Sequence, residues 1–279
     1  MPNLIIGATG LLGKALMREY APGAAVGVGS KQVDIRQRSQ VEAAVERVRP
    51  DWIVLAAAYT DVDGCETNQQ LAFDVNCRGA VNVVQAAREF GSRLMFLSTD
   101  YVFDGTKEAP YQAHDERNPQ SVYGKSKAEA EIQITKLLPD ACVVRTSWLY
   151  GVGGRCFPDT ILNLAARRPD IDVVNDQRGS PTYAPDLAHA IVQLCAKDAG
   201  GIVHATNRGD CTWYEFAREI VTRAGLPTVI HPTTSDKFVR PAARPKYSVL
   251  SPSTLEKYGV EMPTWHDALT RYLRERLAR

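Results

Sequence analysis

Short apolar runs alternate with amphipathic stretches through the first half of the chain. "NLII" (3–6) precedes "LLGKALMREY" (11–20), "AAVGV" (24–28) precedes "RSQVEAAVERV" (38–48), and "WIVLAAA" (52–58) precedes "LAFDVNCRGAVNVVQAAREF" (71–90). "RLMFLST" (93–99) and "ACVVRTS" (141–147) follow, separated by a helical stretch that carries "YGKSK" (123–127). The runs are apolar throughout rather than alternating, so each predicts a strand covered on both faces. Helices between such strands predict right-handed crossovers and a doubly wound parallel α/β sheet.

After residue 150 the texture changes. Pro and Gly become frequent ("GVGGRCFPD", "NDQRGSPTYAPD", "HPTTSDKFVRPAARPK") and the periodic stretches shorten. "DLAHAIVQLCAK" (186–197) and "GIVHAT" (201–206) still read as one helix and one strand. The expected organisation is a dinucleotide-binding domain over 1–150, to which residues 183–206 return, and a smaller C-terminal substrate lobe over 151–279.

Directly after the first strand comes "GATGLLG", with Gly7, Gly10 and Gly13 opening a helix. A tight strand-to-helix turn without Cβ atoms lets the backbone approach a pyrophosphate at the helix N-terminus. In this context the triplet predicts a Rossmann-type dinucleotide site, with Gly7, Thr9, Gly10, Leu11, Leu12 and Gly13 on the cofactor. An NAD-type site often places a carboxylate at the end of the second strand. Here that position reads Gly29, Ser30, Lys31, and a hydroxyl beside an ammonium suits a 2′-phosphate better. NADPH is therefore expected, with NADH the alternative; a solvated loop charge is the other reading of Lys31. Asp34 and Ile35 are expected beside the adenine.

Composition narrows the partners. The chain has 279 residues and a formal net charge of +1, so nothing advertises a nucleic acid or a membrane surface. Six scattered cysteines without a C-x-x-C pair read as reduced thiols. The start, "MPNLIIGATG", has no basic segment before its apolar run, and no stretch approaches the length of a membrane span. A cytoplasmic protein is the expectation. The five histidines show no spacing suited to a metal or a triad, and no metal site is expected.

"LSTDYVFDG" (97–105) puts Ser98 and Thr99 at a strand's carboxyl end, where open α/β sheets bind ligands. In "YGKSK", Tyr123 and Lys127 are four residues apart and share one helix face. A hydroxyl, a phenol and an ammonium can thus converge on the mouth of a dinucleotide site. This combination resembles the extended branch of the short-chain dehydrogenase/reductase superfamily. "STDYVFDG", "YGKSKAEAE", "VRTSWLYG", "NDQRGSPTY" and "RPKYSVLS" together resemble the dTDP-4-dehydrorhamnose reductase family across nearly the whole chain. The regulatory β subunit of methionine adenosyltransferase is similar to the same pattern. A non-catalytic NADP-binding subunit, and a reductase or epimerase of another nucleotide sugar, therefore stay open.

The resemblance implies an NAD(P)H-dependent reduction of the 4-keto group of a nucleoside-diphosphate sugar, dTDP-4-dehydro-L-rhamnose foremost. It implies that Tyr123 donates the proton, that Lys127 tunes it and binds the nicotinamide ribose, and that Thr99 holds the ketone oxygen. Lys127, together with the positive nicotinamide ring of the oxidised cofactor, is expected to draw the phenol's pKa down from its ordinary value near 10, and Gly124 to keep the helix face open. Ala56, Ala57, Ala58 and Asn76 are implied along the cofactor, although core packing and a helix-internal contact also account for them. Asp100, Val102, Trp148, Thr182, Arg244 and Ser248 are implied at the substrate, with a core tryptophan the other reading of Trp148 and a solvated basic loop that of Arg244. Some members of the family are dimers, which leaves a homodimer open.

Overall fold

A computed structural model describes residues 1–278. Its centre is a six-stranded, wholly parallel sheet, built from β1 (Asn3–Ile6), β2 (Ala25–Val28), β3 (Trp52–Leu55), β4 (Arg93–Thr99), β5 (Cys142–Thr146) and a late strand (Gly201–His204). Their spatial order, counting that late strand last, places β2 at one edge, then β1, β3, β4, β5 and the late strand. Order reverses between β1 and β3, which opens a crevice at their carboxyl ends. Helices α1 (Leu11–Glu19) and α2 (Arg38–Val48) lie on opposite faces, within two separate apolar clusters.

Residues 71–90 do not form the single helix that their pattern predicts. After a short α3 (Val62–Thr67) come α4 (Gln69–Phe73), a π-turn (Asp74–Arg78) and α5 (Gly79–Phe90). The wide turn contains Asn76, whose amide is tied to the backbone of Tyr59 and to Ser126. Such turns release a residue from the regular ladder and are found at functional sites.

Helix α6 (Val122–Leu137) carries "YGKSK" and starts where Ser121 caps it, its hydroxyl accepting from the Gly124 N–H at 3.1 Å. The Glu66 carboxylate on α3 accepts from the Val122 N–H at 2.8 Å, a second cap supplied by tertiary structure. One turn below Lys127, buried Glu131 fastens this helix to the sheet. Its Oε1 accepts from Ser98 Oγ of β4 at 2.5 Å and Arg145 Nε of β5 at 2.9 Å, and its Oε2 accepts from Arg145 Nη2 at 2.7 Å. Gly124 does not keep the helix face open. A Cβ there would stand 2.2 Å from the Tyr101 carbonyl oxygen, so glycine is required for the helix to approach the turn after β4.

The second half builds its own apolar cluster. It contains β6 (Leu149–Tyr150), α7 (Phe157–Ala165), β7 (Asp170–Val174), β8 (Arg178–Gly179) and β9 (Thr182–Tyr183). Helix α8 (Ala184–Ala196) leaves it to pack on α1, and β10, the late strand Gly201–His204, joins the main sheet beside β5. Then β11 (Cys211–Thr212), α9 (Trp213–Arg223) and β12 (Val229–Thr233) return to the second cluster. The last helices are α10 (Ser253–Glu256) and α11 (Trp265–Leu277). None of the described helices is long and apolar enough to cross a membrane.

The Glu131–Arg145 pair is fully buried, and removing Arg145 leaves the buried carboxylate with the partly exposed Arg117 as its one remaining ion-pair partner among the described residues. Arg145→Met is expected to lower the unfolding free energy by about 3–5 kcal/mol in urea denaturation. Arg38→Met, which breaks an exposed pair with Glu42, is expected to leave it unchanged.

Candidate active site

Two cavities meet along the carboxyl edge of the sheet. The first, of about 470 Å³, is lined by Gly10, Leu11, Leu12 and Gly13 on one side and by Thr99, Asp100, Tyr123, Lys127 and Trp148 on the other. The second, of about 510 Å³, runs on past Gly10 and Ala56–Ala58 to Gly7, Thr9, Ser30, Asp34 and Ile35. Gly7 has φ 98, and a Cβ on it would stand 2.5 Å from the Ala57 nitrogen. The glycine loop and the chain after β3 therefore lie against each other as only glycine permits.

The groove suits a dinucleotide on its own geometry. Gly10 caps α1 without a side-chain hydrogen bond, and the N–H groups of Leu11, Leu12 and Gly13 have no acceptor among the described residues. Three free donors at a helix N-terminus favour a pyrophosphate. Lys31 is exposed and stays outside the groove; Arg36 lines it instead. Arg36 grips Asp34, with Nε 2.9 Å from Oδ1 and Nη2 2.6 Å from Oδ2, and holds that carboxyl below its ordinary range. The chain reaches Arg36 only by turning back after β2, so a reading fixed on the strand's end missed it.

Thr99, Tyr123 and Lys127 share one wall. Register pairs Thr99 of β4 with Thr146 of β5, and the Thr99 hydroxyl donates to Asp100 Oδ1 at 3.0 Å. The Tyr123 ring meets Tyr101 edge-on with centroids 5.8 Å apart. Lys127 is 2% exposed, with Nζ 4.0 Å from the centre of the Phe96 ring, and makes no hydrogen bond to a described residue. Burial drives its pKa down to about 7, against the opposing pull of Glu131. Burial also raises the Tyr123 pKa, which the Thr99 hydroxyl only moderates. In the protein alone burial sets the phenol above its ordinary range and Lys127 is not among the groups that shift it; the expected lowering also relied on the charge of an oxidised nicotinamide.

Several expected contacts lie behind this wall rather than on it. Asn76 spends its amide on Tyr59 and Ser126, so it anchors the site and does not line it. Val102 is 0% exposed within an apolar cluster with Phe103, Tyr111 and Leu250, because the turn after β4 directs it inward. Thr182 is likewise sealed; its N–H donates to the Trp148 carbonyl and supports the loop behind that ring. Ser248 is buried beside Asp100.

Trp148 does reach the cavity, in a left-handed conformation with φ 46 that is costly for a tryptophan. Its ring stacks on Trp213 with centroids 3.5 Å apart. Trp213 is the first residue of α9, 65 positions later, and no local pattern marks it. A third cavity, of about 340 Å³, opens beyond Trp213 and Tyr101. Phe157, Ile161, Leu164, Val173 and Phe238 line it, with Arg240 and Arg244. Arg244 is half-buried and paired with Asp63, a partner that sequence reasoning missed.

The profile of the family described as the RmlD substrate binding domain matches residues 1–277. The chain belongs to this family. Among its relatives, the spore coat polysaccharide biosynthesis protein SpsK of Bacillus subtilis is 38% identical over 98% of this chain and 97% of that protein. The dTDP-4-dehydrorhamnose reductase of Streptomyces griseus is 40% identical over 96% and 91%. The crystal structure of dTDP-4-dehydrorhamnose reductase from Bacillus anthracis in complex with NADP superposes with a TM-score of 0.95 at 38% identity, covering 99% of this chain and all of that one. The family resemblance of the motifs and the doubly wound fold agree with these findings.

Asp100 is the costly residue of the site. It is 1% exposed, and its Oδ2 has no hydrogen-bond partner among the described residues. Burial pushes its pKa up to about 6, against the opposing effect of the Ser248 and Thr99 hydroxyls. A carboxyl with a raised pKa binds its proton more tightly when folded, so stability falls as pH rises from about 4 to about 6 and stays reduced above. Asp100→Asn is therefore expected to melt at a higher temperature than the unaltered protein at pH 7, with the gap closing toward pH 4. Calorimetry across that range checks it, and a gap independent of pH would exclude the buried charge as its cause. Lys127 titrates in both proteins and cancels in the comparison.

Proposed function

We propose that the protein reduces the 4-keto group of a nucleoside-diphosphate sugar with NADPH, its substrate being dTDP-4-dehydro-L-rhamnose. The observation that carries this reading is the single wall formed by Thr99, Tyr123 and Lys127 beside the dinucleotide groove. NADPH, when bound, supplies the hydride. Gly10, Leu11, Leu12 and Gly13 would hold its pyrophosphate, and Ser30 and Arg36 its adenosine end.

A ketone that accepts hydride becomes an alkoxide and needs a proton in the same step. Tyr123, kept protonated by burial, is suited to donate it. The Thr99 hydroxyl, turned from Asp100 toward the ligand, would fix the carbonyl oxygen next to the phenol. Lys127 has its ammonium hydrogens free for a ribose, and its charge stabilises the phenolate left behind.

The third cavity suits the nucleotide half of the substrate. Its aromatic and aliphatic lining accepts a base, and the arginines at its rim match a diphosphate. Trp148 and Trp213 stand between base and nicotinamide, where a sugar has to lie. On this reading the second apolar cluster belongs to the substrate lobe and the sheet to the dinucleotide domain. The setting is the cytoplasm, where thiols such as the six free cysteines stay reduced.

Tyr123→Phe removes the proton donor while keeping the ring. It is expected to reduce kcat on dTDP-4-dehydro-L-rhamnose by about 10²–10⁴-fold, with NADPH affinity nearly unchanged. Absorbance at 340 nm and a fluorescence titration with NADPH measure the two quantities. Near-normal turnover would remove Tyr123 from its assigned role.

A further inference from the structure

Asp63 is the acidic residue on which the basic loop closes. It lies in the first turn of α3, beyond the carboxyl end of β3, whereas Arg240 and Arg244 belong to the Pro-rich loop after β12. The Arg244 guanidinium meets Asp63 end-on, with Nη1–Oδ1 and Nη2–Oδ2 both 2.9 Å. Arg240 Nη1 reaches Oδ2 at 3.3 Å, and the Ala242 N–H donates to Oδ1 at 3.2 Å. Arg244 Nη1 gives its second hydrogen to the Ala242 carbonyl at 2.8 Å.

An arginine carries five N–H donors in a rigid planar fork. Three of them are committed here, all at the Nη end. The Nε–H and the remaining Nη2–H share the other edge, and neither has an acceptor among the described residues. That edge alone can bind two phosphate oxygens side by side. Arg244 lines the aromatic cavity. Two guanidinium groups face one carboxylate, and the cluster keeps a net positive charge toward an anion.

We propose that Asp63 is a positioning residue for the substrate's diphosphate: it holds Arg244 by one edge of the guanidinium and leaves the other edge fixed toward the cavity. The proposal rests on the reading that Arg244 binds the diphosphate. Its physical gain is pre-organisation. A long side chain already fixed by Asp63 and the Ala242 carbonyl has little freedom left to lose when the anion binds. A carboxylate that merely competed for Arg244 would instead weaken binding.

The test uses the full chain saturated with NADPH and dTDP as the probe, with affinity read by calorimetry. Asp63→Asn, which keeps the shape but loses the charge-assisted pair, is expected to weaken dTDP binding by about 10-fold. The KM for the keto sugar should rise in step, while kcat and the NADPH dissociation constant stay within about 2-fold. Asp63→Glu should recover part of the loss. The Asp63→Asn/Arg244→Ala double variant should bind no more weakly than Arg244→Ala alone, because Asp63 acts through that arginine. Unchanged or tighter dTDP binding in Asp63→Asn overturns the proposal, and so do penalties that add in the double variant. If Arg244→Ala itself leaves dTDP affinity unchanged, the diphosphate reading of Arg244 fails first and the proposal falls with it.

Discussion

The carboxylate of Glu131 is the point at which helix α6 and the central sheet become one body. It takes hydrogen bonds from Ser98 on β4 and from two nitrogens of Arg145 on β5, with no solvent to share the charge. A buried ion pair is a doubtful source of net stability, since desolvation offsets most of the attraction. Its value here is directional. Lys127 and Tyr123 lie about one and two turns before Glu131 on the same helix, so fixing that carboxylate against two strands fixes where the phenol and ammonium emerge. Ser121 and Glu66 secure the other end of the same helix through its first N–H groups.

From that rigid wall the site's electrostatics follow. Asp100, Tyr123 and Lys127 are all withdrawn from water, and desolvation leads in the pKa shift of each. Each shift is in the direction of the neutral form. A site poised this way responds strongly to any charge that enters it, because little solvent is present to screen the change. The third cavity is built differently: partly exposed arginines, an acidic partner and aromatic rings on loops or helix ends.

The parts of this molecule that can be read from sequence are those whose cause is local. Full-length apolar runs announced the parallel strands, and the glycine loop after β1 announced the dinucleotide groove. "YGKSK" placed its phenol and ammonium on one face because helix geometry does so for any sequence. What stayed hidden depends on distant chain segments. Trp213 acquires its meaning from Trp148, Asp63 from Arg244, and Arg36 from the turn that brings it back over Asp34. The expected long helix 71–90 failed for the same reason, since the π-turn at Asn76 answers to Tyr59 and Ser126. Val102 and Thr182 show the converse, where proximity in a motif did not tell which way a side chain turns.

The return of α8 and β10 to the main sheet also constrains how the chain is made. The apolar face of α1, with Leu12 and Leu16, is covered by Leu187, Ile191 and Leu194 of α8 within one cluster. During synthesis at roughly 5–20 residues per second, α1 waits roughly 10–35 s for that cover to leave the ribosome. The edge of β5 waits roughly 3–12 s for β10. The nascent first half therefore holds an uncovered helix face and an unpaired strand edge while the second half is still being translated, surfaces of the kind that favour association between chains.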